Sequence, residues 1–291
     1  MRDLRGAVAV ITGAGSGIGR GLAMELAAAG AQLALADVNR AGLEETRKLL
    51  GSAKANTYVV DVSSASVVGD FANQVRRDFG RASLLINNAG VALYGTFAEV
   101  SLADMEWLIN INYWGVVYGC KFFMPLLEQE PDAHIVNISS VFGLIGPPGQ
   151  AAYSSSKFAV RGFTEVLRME LAATNIHVTC VHPGGIKTPI AQSARIGAHA
   201  SAEMAAQDLA RFHKLTPTTP ETAAKVIVRG ILTNKPRVLI GPDARRIDRL
   251  QRITPAKAAE IVVRSMEKSA GKSSAARNSK PAANAVSARQ K

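Results

Sequence analysis

Two cysteines in 291 residues cannot build a disulfide framework, and Cys120 and Cys180 show no metal-ligand spacing. Both are read as buried thiols. Five histidines, His134, His177, His182, His199 and His213, are just as scattered, so no metal site is expected and they are read as structural or surface groups. No run approaches the ~18 apolar residues of a membrane-spanning helix. The start, MRDLRGAVAVITG, lacks the charged, apolar and cleavage regions of a secretory signal, so the expected compartment is the cytoplasm. Internal repeats are absent. Acid is scarce, with a net charge of +11, but the imbalance is local. Residues 245–291 carry twelve Lys/Arg against three acids, Asp248, Glu260 and Glu267, which leaves residues 1–244 at +2. A near-neutral body argues against a nucleic-acid-binding face.

What is present is a chain 47% apolar, enough for one large α/β domain or two small ones. Residues 7–11, AVAVI, read as a strand buried on both faces. The turn Thr12-Gly13-Ala14-Gly15-Ser16-Gly17-Ile18-Gly19 follows. A helix comes next, with Ile18, Leu22, Leu26 and Ala29 on one stripe, ending at Gly30. Strand, glycine turn and helix N-terminus together make an anion site, because free N–H groups and the positive helix end point at whatever docks there. Glycines let a pyrophosphate approach the backbone. A second strand over 32–36 delivers Asp37, 24 residues after Gly13 and near the ~20-residue spacing of an acid that bonds an adenosine ribose. Its carboxylate would repel a 2′-phosphate, and Ser16 is not basic. The expected cofactor is therefore NAD, with Arg40 keeping NADP as the alternative.

Strands and helices then alternate. Helices are expected over 39–50, 65–79, 102–128, 151–173 and 221–233, with Pro125 kinking or ending the third. Strands are expected over 57–60, 83–86, 135–138, 177–181 and 237–240. Alternation implies an α/β fold of the Rossmann type, a doubly wound parallel sheet of about seven strands with helices on both faces. Ligands in such sheets sit at the carboxyl ends of strands, where the glycine turn, Asp37, Asp61 and Asn88 all fall.

Residues 140–157 carry the chemistry. Tyr153 and Lys157 are four apart, so on a helix they share a face. A nearby ammonium favours tyrosinate and lowers a phenol pKa of about 10. Ser140 could bond the oxygen whose proton Tyr153 moves. Asn112 lies within a helix, either with a role in the site or bonding a neighbouring backbone.

The motifs Thr12-Gly13-x-x-x-Gly17-x-Gly19, Asp61-Val62, Asn87-Asn88-Ala89-Gly90, Asn112, Ser140, Tyr153-x-x-x-Lys157 and Pro183-Gly184 with Thr188 occur in one order across residues 5–242. In this the chain resembles the short-chain dehydrogenase/reductase superfamily, in its single-domain form. The resemblance implies hydride transfer between NAD and a secondary alcohol or ketone. It assigns Gly13, Ser16, Gly17, Ile18 and Gly19 to the pyrophosphate, Asp37 to the adenosine ribose, and Asp61 and Val62 to adenine. Asn88, Ala89 and Gly90 would line the cofactor. Pro183, Gly184, Ile186 and Thr188 would sit at its nicotinamide, with Ile186 and Thr188 receiving the carboxamide. Ser140, thirteen residues before Tyr153, is then the catalytic serine rather than Ser139. Tyr153 is the acid/base, Lys157 also bonds the nicotinamide ribose, and Asn112 holds a water that joins Lys157 to solvent.

By the same resemblance, the uncharged loop 141–148 borders an apolar substrate. A mobile lid spans about 188–215, Ala-rich with Met204 and Phe212, and two long helices around 102–128 and 151–174 pair copies into a homodimer or homotetramer. The catalytic domain is expected over 1–242. A short helical extension over 243–268 and a basic disordered tail over 269–291 follow. Two other readings remain open: a catalytically silent NAD-binding sensor or scaffold, and a tail-mediated binder of acidic membrane or nucleic acid.

Overall fold

The computed structural model describes residues 3–201 and 218–269. Most of the expected lid, with Met204, Phe212 and His213, lies outside the described residues, as does the tail over 270–291.

Seven strands form one parallel sheet in the order β3-β2-β1-β4-β6-β7-β9. These are β1 (Val8–Thr12), β2 (Gln32–Asp37), β3 (Ala55–Val59), β4 (Leu84–Asn87), β6 (Ala133–Ile138), β7 (Ile176–Pro183) and β9 (Arg237–Ile240). The chain runs outward from β1 in one direction, then returns and runs outward in the other. That reversal between β1 and β4 opens the crevice in which doubly wound sheets place ligands.

Continuous apolar strands follow from having helices on both faces. Within β1, Ala9 and Ile11 join one core and Val10 joins the other. The first core is capped by α1 (Gly17–Ala28) and α7 (Pro220–Leu232), through Leu22, Leu26, Ile227 and Ile231. The second is capped by α3 (Ala65–Phe79), α5 (Gly115–Leu127) and α6 (Ala151–Glu170), where Phe71 and Phe123 meet edge-on at 5.3 Å. Local signals start these helices: Ser64 caps α3 by accepting from Val67 N, and Asn39 caps α2 (Arg40–Leu49) by accepting from Gly42 N. Two further helices, α8 (Pro242–Ile253) and α9 (Ala258–Ser269), follow β9.

Three features differ from the sequence expectation. β3 starts at Ala55, two residues early, because register with β2 sets its bounds and Ala55 pairs with Leu33. The long helix is α4 (Leu102–Ile109), one π-helical turn over Asn110–Trp114, then α5, and Pro125 lies inside the last turn of α5. Finally, β5 (Leu93–Tyr94) and β8 (Arg195–Ile196) pair into a small separate sheet. Two-residue strands show no periodicity, so they are invisible before the fold brings them together.

Candidate active site

Apart from Asn112, which sits in the π-helical turn between α4 and α5, the motif residues named above lie at the carboxyl edge of the sheet or on the first turns leaving it. The glycine turn is built by close approach. Gly13 has φ +66°, and a Cβ there would come within 2.8 Å of Ala89 Cα. A Cβ on Gly19 would overlap the carbonyl of Gly13. Glycine at both positions is what lets the turn pack against the end of β4. Asn88 then locks it, its Nδ2 donating to Thr12 O (2.9 Å) and Gly13 O (3.1 Å). Thr12 Oγ1 accepts from the N–H groups of Asn88 and Ala89, each at 3.0 Å. On the other side, Arg20 donates to Gly15 O (2.6 Å) and Thr46 to Ala14 O (2.9 Å).

The turn's carbonyls are thus consumed inside the protein, while its exposed face is the N-terminus of α1. Ser16 occupies the cap position in extended conformation and makes no side-chain cap bond. The first N–H groups of α1 are left for an outside acceptor. This donor set and the uncovered cradle fit a pyrophosphate. Asp37 closes one side of the cradle. Its Oδ2 accepts from Gly15 N and its Oδ1 from Asn39 N, each at 2.9 Å. Asp61, just beyond β3, accepts from Ser63 N and Oγ, and Val62 beside it is buried. Thr188 faces the turn from the other side, since a Cβ on Gly17 would meet its methyl at 3.1 Å. Gly184 and Ile186 follow Pro183, the last residue of β7.

Ser140, Tyr153 and Lys157 meet beyond the ends of β6 and β7. The two serines at the end of β6 separate cleanly. Ser139 turns inward and donates to Lys157 O at 2.8 Å, whereas Ser140 lies near enough to the Tyr153 phenol to lower its pKa. Ser140 Oγ also accepts from Phe142 N at 3.1 Å. Lys157 is only 3% exposed, with Nζ donating to Ile138 O at 3.0 Å and lying 5.7 Å from the Tyr153 ring centroid. Asn112 is fully buried in the π-helical turn. Its side chain grips Val91 from both sides, accepting from Val91 N (2.8 Å) and donating to Val91 O (3.0 Å). It also donates to Ser156 Oγ at 3.2 Å. Bonding to a neighbouring backbone is thus what the Asn112 side chain does. Asn112 Oδ1 and Lys157 Nζ both close around Gly90, where an added Cβ would come within 3.2 and 3.4 Å of them.

Burial sets the acid–base balance. It pushes the Tyr153 phenol up from its ordinary value, and the hydrogen bond with Ser140 opposes that rise. It pulls Lys157 down to about 8. The expectation that the ammonium would lower the phenol is therefore not met: desolvation of both groups is the larger effect. The loop after Ser140 also divides. Val141, Leu144 and Ile145 are core residues. Only its outer part, with Pro147 and Pro148, lines an uncharged groove of about 710 Å³ that Phe97, Ala151 and Phe158 complete.

Several contributors carry no signal in sequence. Arg20, Thr46, Ser139 and Ser156 act through backbone or through other side chains, and nothing in their spacing marks them as such. His182, fully buried, places Nδ1 3.1 Å from Ser140 O. A carbonyl can only accept, so Nδ1 carries the proton. His134 is likewise structural, bonded to Thr179 Oγ1 at 2.7 Å.

A buried lysine is a stability cost with a definite pH window. The unfolded chain, near the ordinary 10.5, binds more protons than the folded one between about pH 8 and 10.5, so stability rises with pH there and the full cost stands below pH 8. Lys157→Met should therefore raise Tm at pH 7, by roughly 2–4 °C per kcal/mol relieved, and the gain should shrink towards pH 10. Melting curves across pH check this; a loss of Tm at pH 7 would show that the bond to Ile138 outweighs the burial.

Comparison with known proteins places the chain in one family. The family model described as short chain dehydrogenase matches residues 7–198. SadH of Mycobacterium tuberculosis is 44% identical over 252 residues, covering 85% of this chain and 91% of that protein. The 3-oxoacyl-[acyl-carrier-protein] reductase FabG of Thermotoga maritima is 34% identical over 77% of this chain and 90% of its own. Among solved structures, a short chain dehydrogenase/reductase from Burkholderia phymatum in complex with NAD superposes with a TM-score of 0.77 at 30% identity, covering 94% of this chain and 98% of that one. On the matched sequence and the shared architecture together, this chain belongs to the short-chain dehydrogenase/reductase family of oxidoreductases.

Proposed function

We propose that the chain is an NAD-dependent dehydrogenase/reductase for an apolar secondary alcohol or its ketone, with Tyr153 as the acid/base. The observation that carries this reading is the meeting of Ser140, Tyr153 and buried Lys157 beside the glycine cradle, with Ser139 turned away. The α1 N-terminus, Gly13, Ser16, Gly17, Ile18 and Gly19 hold the pyrophosphate. Asp37 holds the adenosine ribose, Asp61 and Val62 the adenine, and Asn88, Ala89 and Gly90 line the path between the two ends. Pro183, Gly184, Ile186 and Thr188 take the nicotinamide end, with Lys157 on its ribose. When bound, the nicotinamide supplies the hydride chemistry.

The chain's own residues manage the proton. Ser140 Oγ hydrogen-bonds the substrate oxygen and sets it against Tyr153 Oη. In the reductive direction the phenol, which burial keeps protonated, gives its proton to that oxygen. In the oxidative direction Tyr153 first passes its own proton out through water beside Lys157, and the resulting tyrosinate, stabilised by the Lys157 ammonium in the same buried pocket, takes the alcohol proton. The π-helical turn at Asn112 opens helical backbone next to Lys157, where a water can carry the proton onward. The loop 141–148 that follows Ser140 carries no charge, which favours an apolar substrate. NAD is supported by the carboxylate at Asp37 and by the NAD held in the Burkholderia phymatum structure.

Tyr153→Phe should lower turnover by about 10²–10⁴-fold while NADH still binds, measured by steady-state kinetics and fluorescence. Near-normal turnover would remove Tyr153 from the mechanism. Asp37→Asn keeps an acceptor for the turn but loses the charge. Its ratio of kcat/KM for NADP over NAD should rise about tenfold, and wild-type protein that already prefers NADP would overturn the assignment. The outward faces of α5 and α6 also expose Phe122, Phe158, Val166 and Met169, and the π-helical turn exposes Trp114, an apolar surface suited to a second copy of this chain. Light scattering at micromolar concentration should give a dimer or tetramer; a monomer would refute the pairing.

A further inference from the structure

Asp243 belongs to none of the family motifs and lies beyond the matched residues 7–198. It stands in the first turn of α8, yet its carboxylate reaches back to the end of β7. Oδ2 accepts from Gly185 N at 2.7 Å. A Cβ on Gly184 would run into the same carboxylate, and so would one on Gly241, which has φ +94°. The carboxylate therefore rests directly on two glycines, closer than any other residue type would allow. Neighbouring backbone is tied in around it. Gly184 N donates to Ile240 O (2.9 Å), Thr218 N to Gly185 O (3.4 Å) and Lys187 N to Thr218 O (2.9 Å). Among these ties to residues 184–188, the Asp243 bond is the only one made by a charged group, and such bonds are roughly twice as strong as neutral ones.

We propose that Asp243 is a positioning residue for the nicotinamide end of the cofactor site. Its carboxylate holds the Gly185 amide and so sets the backbone at Ile186, one residue further on. This rests on the dinucleotide reading above, in which Ile186 and Thr188 receive the carboxamide. The C-terminal extension is then part of the cofactor site rather than an appendage to it. Without the carboxylate, Gly185 N–H loses its acceptor and the 184–186 backbone is free to shift, while the glycine turn at the other end of the crevice is untouched.

The test compares two probes on the full-length protein. NADH spans the whole crevice; ADP-ribose carries the adenosine and pyrophosphate but no nicotinamide. For Asp243→Ala, the Kd for NADH should rise about tenfold and that for ADP-ribose should change by less than about twofold, as expected for losing one charge-assisted hydrogen bond at one end only. Asp243→Asn, which keeps an oxygen for Gly185, should recover most of the NADH affinity. If Asp243→Ala does not fold, Asp243→Glu takes its place beside Asp243→Asn. Its extra methylene cannot fit between Gly184 and Gly241, and it should show the same selective loss. An unchanged ratio of the two Kd values in variants that melt like wild type overturns the positioning role. Failure of the wild-type protein to bind either probe overturns the dinucleotide reading, and this role with it.

Discussion

A buried ammonium organises the site. Among the described residues Lys157 has one hydrogen-bond acceptor, the carbonyl of Ile138, at a depth where a lone charge is costly. The surrounding structure tolerates it through several concessions. Position 90 is glycine, which leaves the space where Asn112 and Lys157 converge. The helix above breaks its regular bonding for one π-helical turn, and Asn112 fastens that turn to Val91. The Ser139 hydroxyl is spent on the carbonyl of Lys157 itself. These arrangements make sense if the charge is wanted for its proton and not for its contribution to folding.

The same economy governs the cofactor cradle. The carbonyls of the glycine turn bond inward, Gly15 N is taken by Asp37, and the first N–H groups of α1 are left outward. Asn88, Thr46 and Arg20 take up the carbonyls, which leaves the turn a surface of donors. A helix N-terminus alone attracts anions weakly; one whose competing acceptors have been removed is a defined site. At the far end, the ties around Gly185 shape the backbone by the same principle, with Asp243 supplying the acceptor.

Much of the fold was legible in sequence because period and punctuation survive without tertiary context. AVAVI followed by a glycine turn, and Tyr and Lys four apart, point to strand, turn and helix by local rules. Legibility stopped where a partner element decides the outcome. The start of β3 depends on pairing with β2, and the β5–β8 ladder on two loops meeting. Val141, Leu144 and Ile145 read as pocket and proved to be core, because an uncharged loop looks the same in either place. The phenol of Tyr153 was expected to fall and instead rises, since burial cannot be read from a spacing of four residues.

By itself, then, the sequence determined which chemistry the chain could perform. The residue types, their order and their local periods placed a donor-rich turn, a carboxylate and a Ser–Tyr–Lys set at the ends of parallel strands. Tertiary structure decided how those groups behave. It turned the Ser139 hydroxyl inward onto Lys157, held Asn112 on Val91, lowered Lys157 by desolvation, and brought Asp243 from the far end of the chain onto Gly185. Side-chain identity is local, whereas dielectric, hydrogen-bond partners and close approach depend on segments far apart in sequence, as Gly17 and Thr188 are.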